Sequence, residues 1–309
     1  MAYAVLFPGQ GSQFVGMGAD LFDVRPDLLG ETADEILGFS LRSVCLEGSA
    51  EELTRTEHSQ PALFAVAYAL WSEFSREAPV PAAAAGHSLG EYTALTAAGA
   101  FDYEVALGIV AERSRAMAAA ADVRPGSMAA LIGAEVETAE AACARRRQEG
   151  GHLWVAITNA PGQVVVAGGR DDIDWLAETA PDLGIRRVVP LAVAGAFHTP
   201  FMMPAADRLM DVLDGGAAEP AFPVYANVTA APLAVETVVS TLIAQVVSPV
   251  RFAESLEAMA ATGIDTFVHI GPGDVTAGLA KRTVPGATTL VVASLEDVGE
   301  AADTLSTMQ

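Results

Sequence analysis

The chain has 309 residues, 51% apolar and 18% charged, with 39 acidic against 17 basic side chains and a formal charge of -22. So apolar a chain builds a large core and is not disordered, while so acidic a surface repels nucleic acid and anionic lipid, which excludes both as expected partners. No apolar run reaches membrane-spanning length: Ala62 to Trp71 is about half of what is needed and reads as a buried helix. Residues Met1 to Phe7 carry no basic region or cleavage site and read as a first core strand, not a leader. The two cysteines, Cys45 and Cys143, fit neither a disulfide framework nor a zinc pattern, so buried packing in a reducing cytoplasm is expected.

Short β-like runs alternate with amphipathic stretches, the pattern of an α/β fold. Tyr3 to Phe7 predicts a strand, followed by the turn Pro8 to Gln13. Helices are expected at Gly18 to Phe22, Arg25 to Leu37, Leu41 to Leu46, Ala50 to Thr54 and Gln60 to Phe74. The apolar run Val80 to Ala85 leads into Gly86-His87-Ser88-Leu89-Gly90, then helices at Glu91 to Ala98 and Tyr103 to about Ala119. After Arg124-Pro125-Gly126 the texture changes. Strands at Ser127 to Ile132, Leu153 to Thr158, Gln163 to Ala167 and Arg186 to Leu191 enclose helices at Glu137 to Arg147 and Asp171 to Thr179. That β-α-β-β-α-β order is the ferredoxin-like module, of a length that suits an inserted subdomain. A helix at Pro204 to Leu213 and strands at Val224 to Asn227, Thr266 to Ile270 and Thr289 to Val292 then return to the larger unit. The predicted division is 1–126 and 193–309 for the large domain and 127–192 for the small one.

Gly86 to Gly90 is a G-x-S-x-G pattern placed between a strand and a helix. Small residues let the chain turn sharply enough to expose the Ser88 hydroxyl, and the helix N-terminus offers amide donors to a developing oxyanion. A serine hydroxyl needs a general base to act as a nucleophile at neutral pH. Of five histidines, His198 has the right context, at a strand-to-helix junction directly after the small module. His87 is expected to pack or bond locally, and His58, His152 and His269 have no comparable setting.

These motifs, with others in register, resemble the malonyl-CoA:acyl-carrier-protein transacylases of fatty-acid and polyketide synthesis. The similar segments are FPGQGSQ (7–13), SQPALF (59–64), GHSLGEY (86–92), AERSRAM (111–117), NAPGQVVVAG (159–168), VAGAFHTPFM (193–202), SPVRF (248–252) and GPGDVTAGLAKR (271–282), nearly end to end. The resemblance implies a large α/β-hydrolase-like domain with the ferredoxin-like insertion. It implies that Ser88 carries the acyl group, that His198 is the base and is oriented by the main-chain carbonyl of Gln245, and that the amides of Gln10 and Leu89 form the oxyanion hole. Arg113 would hold the free carboxylate of the acyl group; Gln60, Asn159 and Phe197 would also contact substrate. Phe197 and Leu89 resemble the malonyl-selecting pattern, a steric preference of about 1–3 kcal/mol against a methyl branch.

The resemblance therefore implies a ping-pong acyltransferase with malonyl-CoA and an acidic, phosphopantetheinylated acyl carrier protein as partners. Such an enzyme would need no metal or bound cofactor beyond the coenzyme A thioester substrate, and a discrete, monomeric chain is expected. Carrier docking on so acidic a protein calls for a local basic rim, with Arg145 to Arg147, Arg186, Arg187, Arg251, Lys281 and Arg282 as candidates. An editing hydrolase on the same fold would share Ser88 and His198 but lack a reason for Arg113. A scaffold with a relic site would have no reason to keep competent residues at every catalytic position. Methylmalonyl or another acyl unit, and either pathway, stay open at this point.

Overall fold

The computed structural model describes residues 2–308. Its strands are β1 (Tyr3–Phe7), β2 (Ala83–Gly86), β3 (Ser127–Ile132), β4 (Leu153–Ala160), β5 (Gln163–Gly168), β6 (Arg187–Pro190), β7 (Val224–Tyr225), β8 (Thr266–Ile270) and β9 (Thr288–Val292). The larger sheet is parallel, in the order β7-β2-β1-β8-β9. Every residue of β1, β2 and β8 is buried, so none of these strands alternates apolar with solvent-facing polar residues, although β8 buries Thr266 and His269. The helix Thr56–Glu77 packs Trp71 edge-on against Phe7 of β1.

The register pairs Phe7 with Gly86, so the C-terminal ends of β1 and β2 lie side by side. The turn after β1 and the serine turn after β2 therefore meet, the usual place for a site in a parallel sheet. Three glycines make that meeting possible. A Cβ on Gly9 would stand 2.3 Å from the His87 carbonyl oxygen, one on Gly90 2.3 Å from the Phe7 carbonyl oxygen, and one on Gly86 1.8 Å from the Gly90 carbonyl carbon.

The smaller sheet is antiparallel, in the order β4-β5-β3-β6, the ferredoxin-like arrangement expected from the sequence. Helices Val136–Gln148 and Arg170–Thr179 bury Ala139, Cys143, Ile173 and Leu176 against Leu131, Val155 and Val166 of this sheet. Its edge strand β4 is not left open. Val250 donates to the Ala156 carbonyl (2.9 Å) and accepts from the Thr158 amide (2.8 Å), tying the small sheet to the segment after Gln245.

The structure corrects three expected elements. Residues 18–22 form turns and not a helix, because Gly16 and Gly18 adopt φ of 97° and 71°. The helix expected over 25–37 is two, Pro26–Leu29 and Glu31–Leu37, interrupted at Gly30, whose backbone leaves the helical region at φ -99°, ψ -146°. The strand expected over 224–227 stops at Tyr225, and Asn227 turns inward to bond the serine loop. The apolar helix is also longer than Gln60 to Phe74, running Thr56–Glu77. No helix among the described residues is long and apolar enough to cross a membrane.

The glycine contacts give a stability test. Gly90→Ala drives a methyl group into the Phe7 carbonyl and must separate the two strand ends. Gly38→Ala meets nothing within 4 Å and faces only the left-handed backbone penalty at φ 79°, about 1–2 kcal/mol. Thermal unfolding is expected to show a substantially larger loss for Gly90→Ala, accompanied by loss of serine reactivity; Gly38→Ala keeps that reactivity.

Candidate active site

Ser88 sits at φ 51°, a left-handed conformation that costs a non-glycine residue energy and persists only when its surroundings hold it. Both of its peptide groups are held. Its N–H donates to Asn227 Oδ1 (2.7 Å), and its carbonyl accepts from Gln245 Nε2 (2.9 Å). Asn227 also donates through Nδ2 to the Gly86 carbonyl (2.7 Å), so one side chain braces the turn at two points. The hydroxyl is left free to face its base.

The histidine expected to act as base lies within hydrogen-bond reach. Ser88 Oγ lies 2.7 Å from His198 Nε2, although the two residues are 110 positions apart. His198 is itself at φ 59°. Its Nδ1 is 2.9 Å from the Gln245 carbonyl oxygen, the contact expected from the sequence. A carbonyl only accepts, so Nδ1 carries the hydrogen and Nε2 is left with a lone pair toward the serine. Burial, and then the charge of Arg113, push the His198 pKa down to about 3. The imidazole is therefore neutral at any working pH and ready to accept a proton.

Arg113, on the helix Tyr103–Val123, is fully buried. Its hydrogen-bond partners are neutral oxygens: Gln60 Oε1, Gln245 Oε1 (2.9 Å) and Ser88 Oγ (3.1 Å). Its guanidinium lies 5.2 Å from the centre of the Tyr92 ring, and its Nε–H has no partner among the described residues. No carboxylate among the described residues pairs with it directly, whereas the neighbouring Arg115 is half-exposed and pairs with Glu112 (2.7 Å). A dry guanidinium surrounded by dipoles is expensive to hold and is matched by an incoming anion.

A cavity of about 430 Å³ opens onto Ser88 and His198. Gln10, Gln60, Leu89 and Phe197 line it, as do Met117 and Met128, and Leu191 to Val193 form part of its wall. The backbone N–H groups of Gln10 and Leu89 bond no protein acceptor among the described residues, so both are available to a ligand oxygen. Asn159 is placed differently. It is nearly buried, and its Oδ1 meets His87 Nε2 at 2.8 Å, so it holds the residue before the nucleophile and does not line the cavity. His87 packs against Phe252, as one of its two expected roles has it, and its hydrogen bond is made across 72 positions of chain and not locally.

Two residues of the site carry no signal in the sequence. Asn227 falls in an expected strand, and nothing in its neighbourhood marks it. Glu91 lies inside the GHSLGEY segment, but a glutamate in a first helical turn ordinarily signals no more than a favourable helix end. Here it is fully buried and bonds both Asn227 and Gln245.

Comparison with known proteins identifies the family. The acyl transferase domain family matches residues 5–304. The malonyl CoA-acyl carrier protein transacylase of Bacillus subtilis is 40% identical over 98% of this chain and 96% of its own length. The polyketide biosynthesis malonyl CoA-acyl carrier protein transacylase PksC of the same organism is 38% identical over 90% of this chain and 95% of its length. Among solved structures, a malonyl-transacylase in complex with its type II polyketide-synthase acyl-carrier protein superposes with a TM-score of 0.92 at 35% identity, covering 98% of this chain and 100% of that one. Motif order, fold and near-complete coverage coincide, and the chain belongs to the acyl transferase domain family.

Proposed function

We propose that this protein transfers a malonyl group from malonyl-CoA to the phosphopantetheine thiol of an acyl carrier protein through an ester on Ser88. The observation that carries this reading is Arg113: a fully buried guanidinium, 3.1 Å from the Ser88 hydroxyl and without a carboxylate partner among the described residues. The free carboxylate of a malonyl thioester supplies that partner through two parallel hydrogen bonds; an acetyl group leaves the guanidinium without a direct anionic partner. Phe197, buried on the cavity wall before His198, crowds a branch at the acyl α-carbon and favours malonyl over methylmalonyl.

The chemistry follows from the hydrogen-bond directions. Ser88 Oγ attacks the thioester carbonyl as its proton passes to His198 Nε2, while the Gln10 and Leu89 amides stabilise the oxyanion, each worth about 3–4 kcal/mol in comparable sites. Collapse breaks the C–S bond, and the imidazolium returns the proton to the departing coenzyme A sulfur. In the second half the carrier thiol gives its proton to His198, its sulfur attacks the ester carbonyl, and Ser88 Oγ leaves with that proton. This route calls for no metal or redox cofactor. In the same reading, residues 127–192 form a subdomain inserted between 1–126 and 193–309, and free, buried Cys45 and Cys143 suit a cytoplasmic protein.

The carrier is acidic and so is this protein, so docking depends on basic groups that are not already paired. Arg145, Arg146 and Arg251 are engaged with Glu149, Asp172 and Glu254, and Arg147 donates to the Leu153 carbonyl. Arg186, Arg187, Lys281 and Arg282 are exposed, and none of them forms an ion pair among the described residues. Arg186 and Arg187 head the strand β6 that runs into cavity-wall residues Leu191 to Val193, so a carrier bound there would sit about 13 Å of strand from the cavity. They are the favoured docking rim.

Labelling of Ser88 by malonyl-, methylmalonyl- and acetyl-CoA, followed by intact mass, tests the assignment. Wild type is expected to take malonyl and hold it as a stable adduct. Arg113→Ala is expected to lose about a hundredfold or more of malonyl kcat/KM and its preference over acetyl. Equal malonyl and acetyl loading by wild type, or rapid release of free malonate, would refute the reading. Because His198 titrates far below an ordinary histidine, acylation by malonyl-CoA should persist from about pH 8 down to about pH 5 without a break near 6.5; a half-maximal rate near 6.5 in rapid-quench measurements would contradict a buried neutral base. Charge reversal at Arg186 and Arg187 should raise the KM for carrier and reduce its salt dependence, with acylation by malonyl-CoA unchanged; equal loss in both half-reactions would place docking elsewhere.

A further inference from the structure

One buried ionisable group takes no part in the proton transfers above. Glu91, in the first turn of the helix Gly90–Ala97, accepts at Oε2 from the Asn227 backbone N–H (3.0 Å) and from Gln245 Nε2 (2.8 Å). Its Oε1 has no partner among the described residues. Each residue it holds in turn holds a working part of the site. Asn227 braces the Ser88 N–H, and Gln245 braces the Ser88 carbonyl, orients His198 through its own main-chain oxygen and accepts from Arg113 through Oε1. The Gln245 side-chain amide thus lies between two buried charges, with its oxygen toward the guanidinium and its nitrogen toward the carboxylate.

We infer that Glu91 is a positioning residue and the internal counter-ion of Arg113: it balances the guanidinium through Gln245 before substrate binds, and takes up a proton when the acyl carboxylate docks on Arg113, an inference that rests on Arg113 being the carboxylate site. The electrostatics follow from counting buried charges. Arg113 and Glu91 together are neutral, and adding the substrate carboxylate leaves one negative charge too many in a dry site. The charge is removed most cheaply by a proton from solvent on the carboxylate that is not bonded to the guanidinium. The free Oε1 can carry that proton without disturbing either bond at Oε2.

Few other ionisable groups face this centre. Arg113 approaches from the helix Tyr103–Val123, Tyr92 follows Glu91 on the helix Gly90–Ala97, and His198 is linked through Gln245. Burial raises the Tyr92 phenol to about 12 and lowers His198 to about 3, while it brings Glu91 up to about 7, so Glu91 is the group that can exchange a proton near neutral pH.

The test uses Ser88→Ala, which binds the thioester without reacting, with titration calorimetry at about pH 7.5 in buffers of low and high ionisation enthalpy. Malonyl-CoA binding is expected to take up a substantial fraction of a proton and acetyl-CoA binding none. In Ser88→Ala/Glu91→Gln, malonyl-CoA should still bind but without proton uptake. Uptake that survives Glu91→Gln belongs to another group and overturns the inference; so does the absence of uptake in Ser88→Ala alone, which needs no Glu91 variant to fold. Equal affinity for malonyl- and acetyl-CoA would instead remove the carboxylate role of Arg113, a separate result. With Ser88 intact, Glu91→Gln keeps an acceptor for Asn227 and Gln245 and should retain acylation kcat within a few-fold. Glu91→Ala should lose about tenfold or more in kcat with a smaller change in KM; equal kcat for the two would remove the positioning role.

Discussion

A cation held dry beside a neutral nucleophile is the constraint around which this site is arranged. Arg113 is fully buried, and its charge is met by the oxygens of Gln60, Gln245 and Ser88 and by the face of Tyr92. The same charge helps to keep His198 unprotonated, since a second cation so close in a low-dielectric site is strongly disfavoured. In the proposed function one side chain thus serves two needs, an anion site for the acyl group and a free base for the serine. Gln245 joins them, with its side chain on Arg113 and its main-chain oxygen on His198.

The backbone around Ser88 answers to a different demand, the close approach of two strand ends. The turn after β1 and the turn after β2 pack so tightly that Gly9, Gly86 and Gly90 have no room for a Cβ. In that space the serine is forced into a left-handed conformation, which Asn227 and Gln245 stabilise through both neighbouring peptide groups. His198 has the same unusual backbone, so both members of the 2.7 Å hydrogen bond are strained and externally held. Neither geometry is available to an isolated peptide. It requires the sheet, the helix after it and the returning segments near residues 227 and 245.

Much of this is legible in the chain. The strands Tyr3–Phe7, Ser127–Ile132 and Thr266–Ile270 and the helices Leu41–Leu46 and Ala50–Thr54 lie where the sequence pattern places them, and serine caps at Ser40 and Ser49 start the two helices. The pairing of Ser88 with His198 is read from the setting of the two residues, while the part of the Gln245 carbonyl rests on motif resemblance, since no local pattern links it to the histidine. Local signals fail where glycine is read as tolerated inside a helix, at Gly18 and Gly30. At Gly18 the backbone needs positive φ, and at Gly30 it leaves the helical region. Asn227, Glu91 and the Asn159–His87 bond are silent in the sequence because their meaning is a partner across the sheet, not a neighbour along the chain.

By itself the sequence determined the kind of molecule. Apolar periodicity and glycine placement specify strands, helices and sharp turns, because these depend on residues a few positions apart, and the serine, histidine and arginine motifs name the chemistry. Only the tertiary structure decided which groups share one dry pocket and in what ionisation state. Burial and distance set the neutral imidazole, the guanidinium held by neutral oxygens and the carboxylate of Glu91 bonded through one oxygen, and both quantities exist only once β1, β2 and the segments carrying His198 and Gln245 are packed together.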